Sequence, residues 1–261
     1  MGFIPDVRRV IAKLPRQRHS LFFSATMPPV VAQLAKDLLN NPVEITIEPE
    51  KPTVDRIAQK VMFVDKQDKD TLLAELIRQH DMDRVIVFAR TKHGADKVVK
   101  KLASSGITCA AIHGNKSQNA RTNALAGFKT GKIRALVATD IAARGIDVDG
   151  VTHVINYELP EEPETYVHRI GRTARAGAEG DAIAFCAARE RDQLRDIERL
   201  IRKSIPVDIH HPYHSDAARN ATGADARPEP KGQRGGQRPG RPRGRANTGV
   251  GLSTMISAKR L

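Results

Sequence analysis

Two short runs, Val85-Ile86-Val87-Phe88 and Ala135-Leu136-Val137-Ala138, are apolar at every position. A strand with one wet face alternates apolar and polar residues, so a run this short and unbroken must be buried on both faces, as parallel strands roofed by helices on each side are. The flanking pattern agrees. Strand-like and helical periods alternate: strand Lys60 to Val64, helix Asp70 to Gln79, strand Arg84 to Ala89, helix Thr91 to Ser104, strand Thr108 to Ile112, helix Ser117 to Phe128. Then come strand Ala135 to Ala138, strand Val151 to Ile155, helix Glu164 to Arg175, strand Ala182 to Cys186 and helix Glu190 to Arg202. This predicts an α/β fold with a parallel sheet covered on both faces.

The regular part has a shorter neighbour at each end. Ahead of it the pattern reads helix Asp6 to Leu14, strand Ser20 to Phe23, helix Pro28 to Leu39 and strand Val43 to Ile47, then a link through Pro49 and Pro52, too little for a domain. Behind it, no aromatic residue follows Tyr213, and Gly, Pro and Arg dominate from Arg227 to Arg245. Such a composition buries too little apolar surface to offset ordering, so residues 208–261 are expected to be a disordered basic tail. His210, His211 and His214 read as exposed residues at its start. The expected division is therefore 1–50, 51–207 and 208–261.

Charge narrows the partners. Lys and Arg outnumber Asp and Glu by 43 to 30, a net +13, which favours a polyanion, either nucleic acid or an anionic membrane surface. No apolar run approaches the roughly 18 residues of a membrane span, and the first residues carry neither a signal peptide's basic start nor a myristoylation site. The reading is cytoplasmic, with no membrane partner. Cys109 and Cys186 each sit in an apolar strand-like run, as core thiols do, and no metal site is expected.

Open α/β sheets bind ligands beyond the carboxyl ends of their strands. There the sequence supplies Arg90-Thr91, then His113-Gly114-Asn115, then Thr139-Asp140, followed by Ala143-Arg144-Gly145-Ile146-Asp147. Thr91 and Ser117 are helix N-cap residues, which aim backbone N–H groups at that edge, ready for phosphates. Further on, Val167, Ile170, Gly171 and Ala174 form one apolar stripe at helical spacing, and His168, Arg172 and Arg175 form a separate cationic one. Arginines near a helix C-terminus complement the dipole, but two guanidiniums a turn apart also make a forked clamp for phosphate.

Ser24-Ala25-Thr26, Val87 to Thr91, His113 to Arg121, Ala138 to Asp147 and His168-Arg169-Ile170-Gly171-Arg172-Thr173-Ala174-Arg175 resemble motifs III, IV, IVb, V and VI of the DEAD-box ATP-dependent RNA helicases, in family order and spacing. The wording and the arginine-rich tail are nearest the bacterial RhlE-like branch. The resemblance implies a RecA-like second domain that remodels or locally unwinds RNA duplexes by closing with a first domain on ATP and single-stranded RNA. It implies Arg172 and Arg175 at the transferring phosphoryl group, His168 against the other domain's acidic motif, and Gly145 and Asp147 at the nucleotide. It implies Arg90, Thr91, Gly114, Arg121 and Thr139 on the RNA backbone, and Ser24 and Thr26 as interdomain couplers. It implies ATP as substrate with Mg2+ held mainly by the first domain, and sequence-tolerant RNA binding through the backbone. The motifs name no ribosomal or RNA-decay partner.

Two positions depart from the family pattern. Ala174 stands for a usual glycine, a change expected to be tolerated on the sheet-facing side, and Asn115 stands for a frequent aspartate. No GxxxxGK[ST] loop or acidic motif occurs in the chain, and Met1 to Pro5 resembles the sequence just after that acidic motif. The expectation is a fragment or internal-start product, with residues 1–50 a remnant of the first domain. The competing readings are a non-catalytic RNA-binding module and a DNA helicase or translocase of the same superfamily.

Overall fold

The structure is a computed structural model, and it describes residues 4–15, 17–24, 27, 29–46, 56–79, 82–143, 148–175 and 179–227. The chain divides into two compact units, Met1–Lys51 and Pro52–Leu261. The first contains helices α1 (Ile4–Ile11) and α2 (Pro29–Leu38), linked by an Arg8–Asp37 ion pair of 2.7 Å. Leu34 is its one buried hydrophobic residue among those described, while Phe23, Val43 and Ile45 are exposed. The strands expected at Ser20 to Phe23 and Val43 to Ile47 do not form over their described residues. A strand exists only as a member of a ladder, and no described segment of this unit pairs with either.

The second unit is a six-stranded parallel sheet: β1 (Ile57–Phe63), β2 (Val85–Phe88), β3 (Cys109–Ile112), β4 (Ala135–Ala138), β5 (His153–Asn156) and β6 (Gly180–Cys186), in the order β1-β6-β5-β2-β4-β3. Every residue of β2 and β4 is buried, as their unbroken apolar runs require. On one face Val85, Val87, Ala135 and Val137 pack against Leu72, Leu73 and Ile77 of α3 (Lys69–Gln79) and Val98 and Leu102 of α4 (Lys92–Ser104). On the other, Ile86, Phe88, Leu136 and Ala138 meet Ala124 and Phe128 of α5 (Gln118–Lys129). The β1–β6 end is roofed by Tyr166 and Ile170 of α7 (Pro163–Ile170) and Leu194 and Ile197 of α8 (Arg191–Ile201). A short helix, α6 (Asp140–Ala143), follows β4.

Residues 208–227 correct the expected tail. They lie on the sheet: Asp208 N donates to Val61 O at 2.9 Å and Ser215 N to Phe63 O at 3.0 Å, so this segment covers the outer edge of β1. Ser215 Oγ donates to Asp65 at 2.7 Å and accepts from Ala218 N at 3.1 Å, capping α9 (Asp216–Asn220). Ala218, Ala221 and Ala226 are buried, and Arg227 reaches Asp192. Tyr213 also packs on the core and donates to Glu75 at 2.5 Å; average hydrophobicity missed the segment because, apart from this ring, its anchors are backbone hydrogen bonds and small alanines. The expected tail stretch beyond 227 lies outside the described residues. His211 and His214, expected to be exposed, are half-buried, with ring centroids 5.7 Å apart.

Removing the Ser215 hydroxyl should therefore cost global stability although no large side chain is lost. Ser215→Ala is expected to lower the free energy of urea unfolding by about 0.5–2 kcal/mol, the range for a lost N-cap; an unchanged midpoint would mean that this segment does not belong to the cooperative unit.

Candidate functional site

Because the strands are parallel and in register, with Phe88 opposite both Ala138 and Asn156 and Ile112 opposite Ala138, their carboxyl ends share one rim. Thr91 caps α4 there, its hydroxyl accepting from Gly94 N at 3.0 Å, and Ser117 caps α5 in the same way from Ala120 N at 3.2 Å. Gly114 faces open space, and Lys92 Nζ donates to Asn115 Oδ1 at 3.1 Å, bridging the ends of β2 and β3. Thr139 N donates to Ile112 O at 3.2 Å. Arg121 lies in the first turn of α5, its Nε buried with no hydrogen-bond partner among the described residues. Thr91, Gly114, Arg121 and Thr139 are thus gathered on one rim.

Buried His113 stiffens it. Its Nδ1 accepts from Asn115 N at 3.3 Å, which leaves Nε2 to donate to Asp96 at 3.0 Å in the neutral ring. Hydrogen bonds from His113 and then Lys116 hold the Asp96 carboxyl below its ordinary range.

Arg90 is turned inward. Its backbone N donates to Glu158 Oε2 at 2.8 Å, and its guanidinium reaches Leu159 O, Gln193 and Glu190 at 3.1 to 3.4 Å. Glu190, itself buried, also accepts from Lys69 at 2.5 Å, Leu159 N at 3.1 Å and Ala187 N at 3.0 Å. Arg90 therefore buttresses the rim from below.

α7 is shorter than the sequence predicts, ending at Ile170 rather than Arg175. Its buried residues are Tyr166, Arg169 and Ile170; of the predicted stripe Ile170 is buried, as is Ala174 beyond the helix end, while Val167 and Gly171 are half-buried. Arg169 was missed by sequence reasoning, although its i+3 spacing from Tyr166 was the available signal. Its guanidinium forms a two-pronged pair with Asp140 at 2.6 and 2.9 Å, donates to Asn156 at 2.9 Å and Glu158 O at 2.7 Å, and lies 5.0 Å over the Phe88 ring.

Beyond Ile170 the chain turns. The Thr173 hydroxyl bonds to Val151 O at 2.5 Å, and a Cβ on Gly180 would sit 2.1 Å from that hydroxyl, so only glycine admits the turn. Ala174 is buried but has φ +54°, a left-handed conformation costing an alanine roughly 1–2 kcal/mol; the substitution expected to be tolerated is strained. Arg172 Nε donates to His168 O at 3.3 Å and Arg175 Nε to Gly171 O at 3.1 Å, while His168 is exposed. The two arginines therefore stand on an anchored turn rather than on one helical face. Val151 precedes β5 and Gly180 opens β6, so the turn lies at the amino ends of the strands, opposite the rim of Thr91, Gly114 and Thr139.

Gly145, Asp147 and Thr26 lie outside the described residues, and Ser24 lies in the first unit ahead of α2. Among the described residues no cluster of His, Cys, Asp or Glu is placed to hold a metal ion, and no helix is long and apolar enough to cross a membrane. Cys109 and Cys186 are free thiols on β3 and β6; burial pushes that of Cys186 up to about 12.

Residues 68–177, which hold most of this sheet, match the family described as Helicase conserved C-terminal domain. The chain is 42% identical over 205 residues to the DEAD-box ATP-dependent RNA helicase CshA of Bacillus licheniformis, a match covering 78% of this chain and 42% of that protein. CshA of Bacillus subtilis is 40% identical over 205 residues, covering 78% of this chain and 42% of that protein. The chain thus spans about two fifths of the length of these curated relatives. Among solved structures, the E. coli DEAD-box protein SrmB bound to regulator of ribonuclease activity A is 36% identical with a TM-score of 0.58, covering 61% of this chain and 95% of that one. S. cerevisiae Dbp5 bound to RNA and ADP BeF3 is 29% identical with a TM-score of 0.69, covering 80% and 56%. The chain belongs to the DEAD-box family, and its sheet is the RecA-like C-terminal domain of that family.

Arg169 should dominate the stability of this unit. Removing Asp140, itself a third exposed, leaves the buried Arg169 guanidinium with only Asn156 and Glu158 O, so Asp140→Ala is expected to cost about 2–3 kcal/mol in denaturant unfolding, below the range for a fully buried pair. A loss under about 1 kcal/mol would show that the pair is not a structural hub.

Proposed function

We propose that this chain supplies the RNA-holding and arginine-bearing half of an ATP-dependent RNA helicase, which locally unwinds RNA when its two RecA-like domains close on single-stranded RNA and ATP. The observation that carries this reading is the separation of two polar sites by one sheet. Thr91, Gly114, Arg121 and Thr139 share a rim suited to backbone contacts, and Arg172 and Arg175 occupy a fixed turn at the other end. In this reading the rim holds phosphates and sugars without reading bases, with Arg90 as its buttress. Arg172 and Arg175 exchange helix-end carbonyls for phosphoryl oxygens on closure, a contribution of the arginine-finger kind, worth roughly 10³ to 10⁵ in rate. His168 meets the partner domain, Gly145 and Asp147 meet the nucleotide, and Ser24 and Thr26 couple the halves.

Mg2+ does not fit the described residues, which offer no carboxylate cluster, and the chain contains no GxxxxGK[ST] loop. In this reading metal and β-phosphate are held mainly by a first RecA-like domain. The RhlE-like branch rests on motif wording and the arginine-rich stretch; relatives 40 to 42% identical are named CshA, a different branch, and do not confirm it. A cytoplasmic setting is supported by the two unpaired thiols and the RNA partner. The second reading, a non-catalytic RNA clamp, is favoured by the same missing phosphate loop.

ATPase assays separate the two readings. The purified 261-residue chain is expected to hydrolyse no ATP above background, and joining it to a matching first domain should give RNA-stimulated turnover. In the joined protein, Arg172→Ala and Arg175→Lys should each lower kcat by about a thousandfold, because lysine keeps the charge but loses the fork. Near-native turnover by both variants would reduce the arginines to helix-end caps, and no turnover in the joined wild type would favour the clamp.

A further inference from the structure

α4 begins at the rim, capped by Thr91, and runs away from it for thirteen residues, about 20 Å at 1.5 Å per residue. Its inward face is Ala95, Val98 and Leu102. Its outward face is His93, Lys97, Lys100, Lys101 and Ser104, at i, i+4, i+7, i+8 and i+11, all exposed and without one carboxylate among them. Asp96, on the flank, is engaged by His113 and Lys116, and Lys97 makes an exposed contact with Asp70 at 3.1 Å.

A solvated helix face usually mixes signs, and this molecule contains such a face for comparison. On α8, Arg195 pairs with Asp192 at 2.8 Å and Arg199 with Asp196 at 2.9 Å, so its arginines are neutralised in place. Lys100 and Lys101 have no ion-pair partner among the described residues. Two exposed helices of similar length on one domain thus differ in kind, one balanced and one of a single sign that starts where the rim ends.

We infer that the outward face of α4 is a second phosphate-backbone surface, which takes the RNA that continues past the rim. This rests on the RNA-holding role proposed above. The occupant follows from charge and continuity: about 20 Å of unbalanced lysine joined to a rim by the Lys92–Asn115 bridge suits a polyanionic strand rather than an isolated anion. Contacts of this kind add affinity and salt dependence but no sequence preference.

The test uses the full chain and two labelled oligouridylates, one of about 6 nucleotides that fills only the rim and one of about 18 that runs beyond it. Lys97→Gln, Lys100→Gln and Lys101→Gln are combined, since glutamine keeps helix propensity and removes charge. Wild type should show a steeper salt slope for the long strand. In the triple variant the short strand should bind as in wild type, which also reports an intact fold, while the long strand's slope should become shallower by about 2, the figure for three lost contacts on single strands. The slope is the deciding reading because extra binding registers on a long strand do not change it. Arg195→Gln with Arg199→Gln on α8 serves as the control and should change neither strand. An unchanged long-strand slope in the α4 variant, as expected if the face serves an acidic protein or only water, would overturn the inference. Equal losses from α4 and α8 would overturn it too, by making the effect one of net charge. Failure of wild type to bind even the short strand would instead overturn the RNA-holding role itself.

Discussion

Arg169 is the residue on which the arrangement of this domain depends. A guanidinium taken out of water is tolerable only when its donors are met by charge and carbonyls. Here two donors meet Asp140 just past β4, and a third nitrogen meets Asn156 at the end of β5 and the carbonyl of Glu158. One side chain therefore ties α7 to the ends of two strands and lies over the ring of a third. Domains are stable by only about 5–15 kcal/mol, so a group whose partner costs about 2–3 kcal/mol to remove decides whether the rim and α7 stay together.

The pair also has a consequence for function. Asp140 follows Thr139, a rim residue, and Arg169 lies three residues before Arg172. The rim and the arginine turn sit at opposite ends of the strands, yet they are joined through one rigid contact and one helical turn. Thr173, clamped over Gly180, fixes the far side of that turn, and strain at Ala174 sits between the two arginines. An arginine turn held from both sides has little freedom left to lose, which suits the role proposed for it above.

What the sequence made legible was governed by local rules. Runs apolar on both faces in β2 and β4 gave the parallel sheet, and Thr91 and Ser117 gave the helix starts, because burial and capping are read from a few adjacent residues. What it hid depended on distant partners. Arg169 was given no role because its acceptors are 11 to 29 residues away in sequence. The end of α7 was hidden because Thr173 is captured by Val151, and residues 208–227 looked like tail because their anchors, the backbone of β1 with Asp65 and Glu75, are far away in sequence. The strands expected in the first unit failed for the converse reason: local propensity was present and a ladder was not.

The central claim is that the Asp140–Arg169 pair holds the rim and the arginine turn as one body. Native-state hydrogen exchange on Asp140→Asn, which keeps the side-chain shape and removes its charge, tests this most directly. Faster exchange is predicted both at residues 139–143, around the substitution, and at residues 171–175, where Arg172 N and Thr173 N donate to Arg169 O and Ile170 O. Faster exchange confined to 139–143, with 171–175 protected as in wild type, would contradict it.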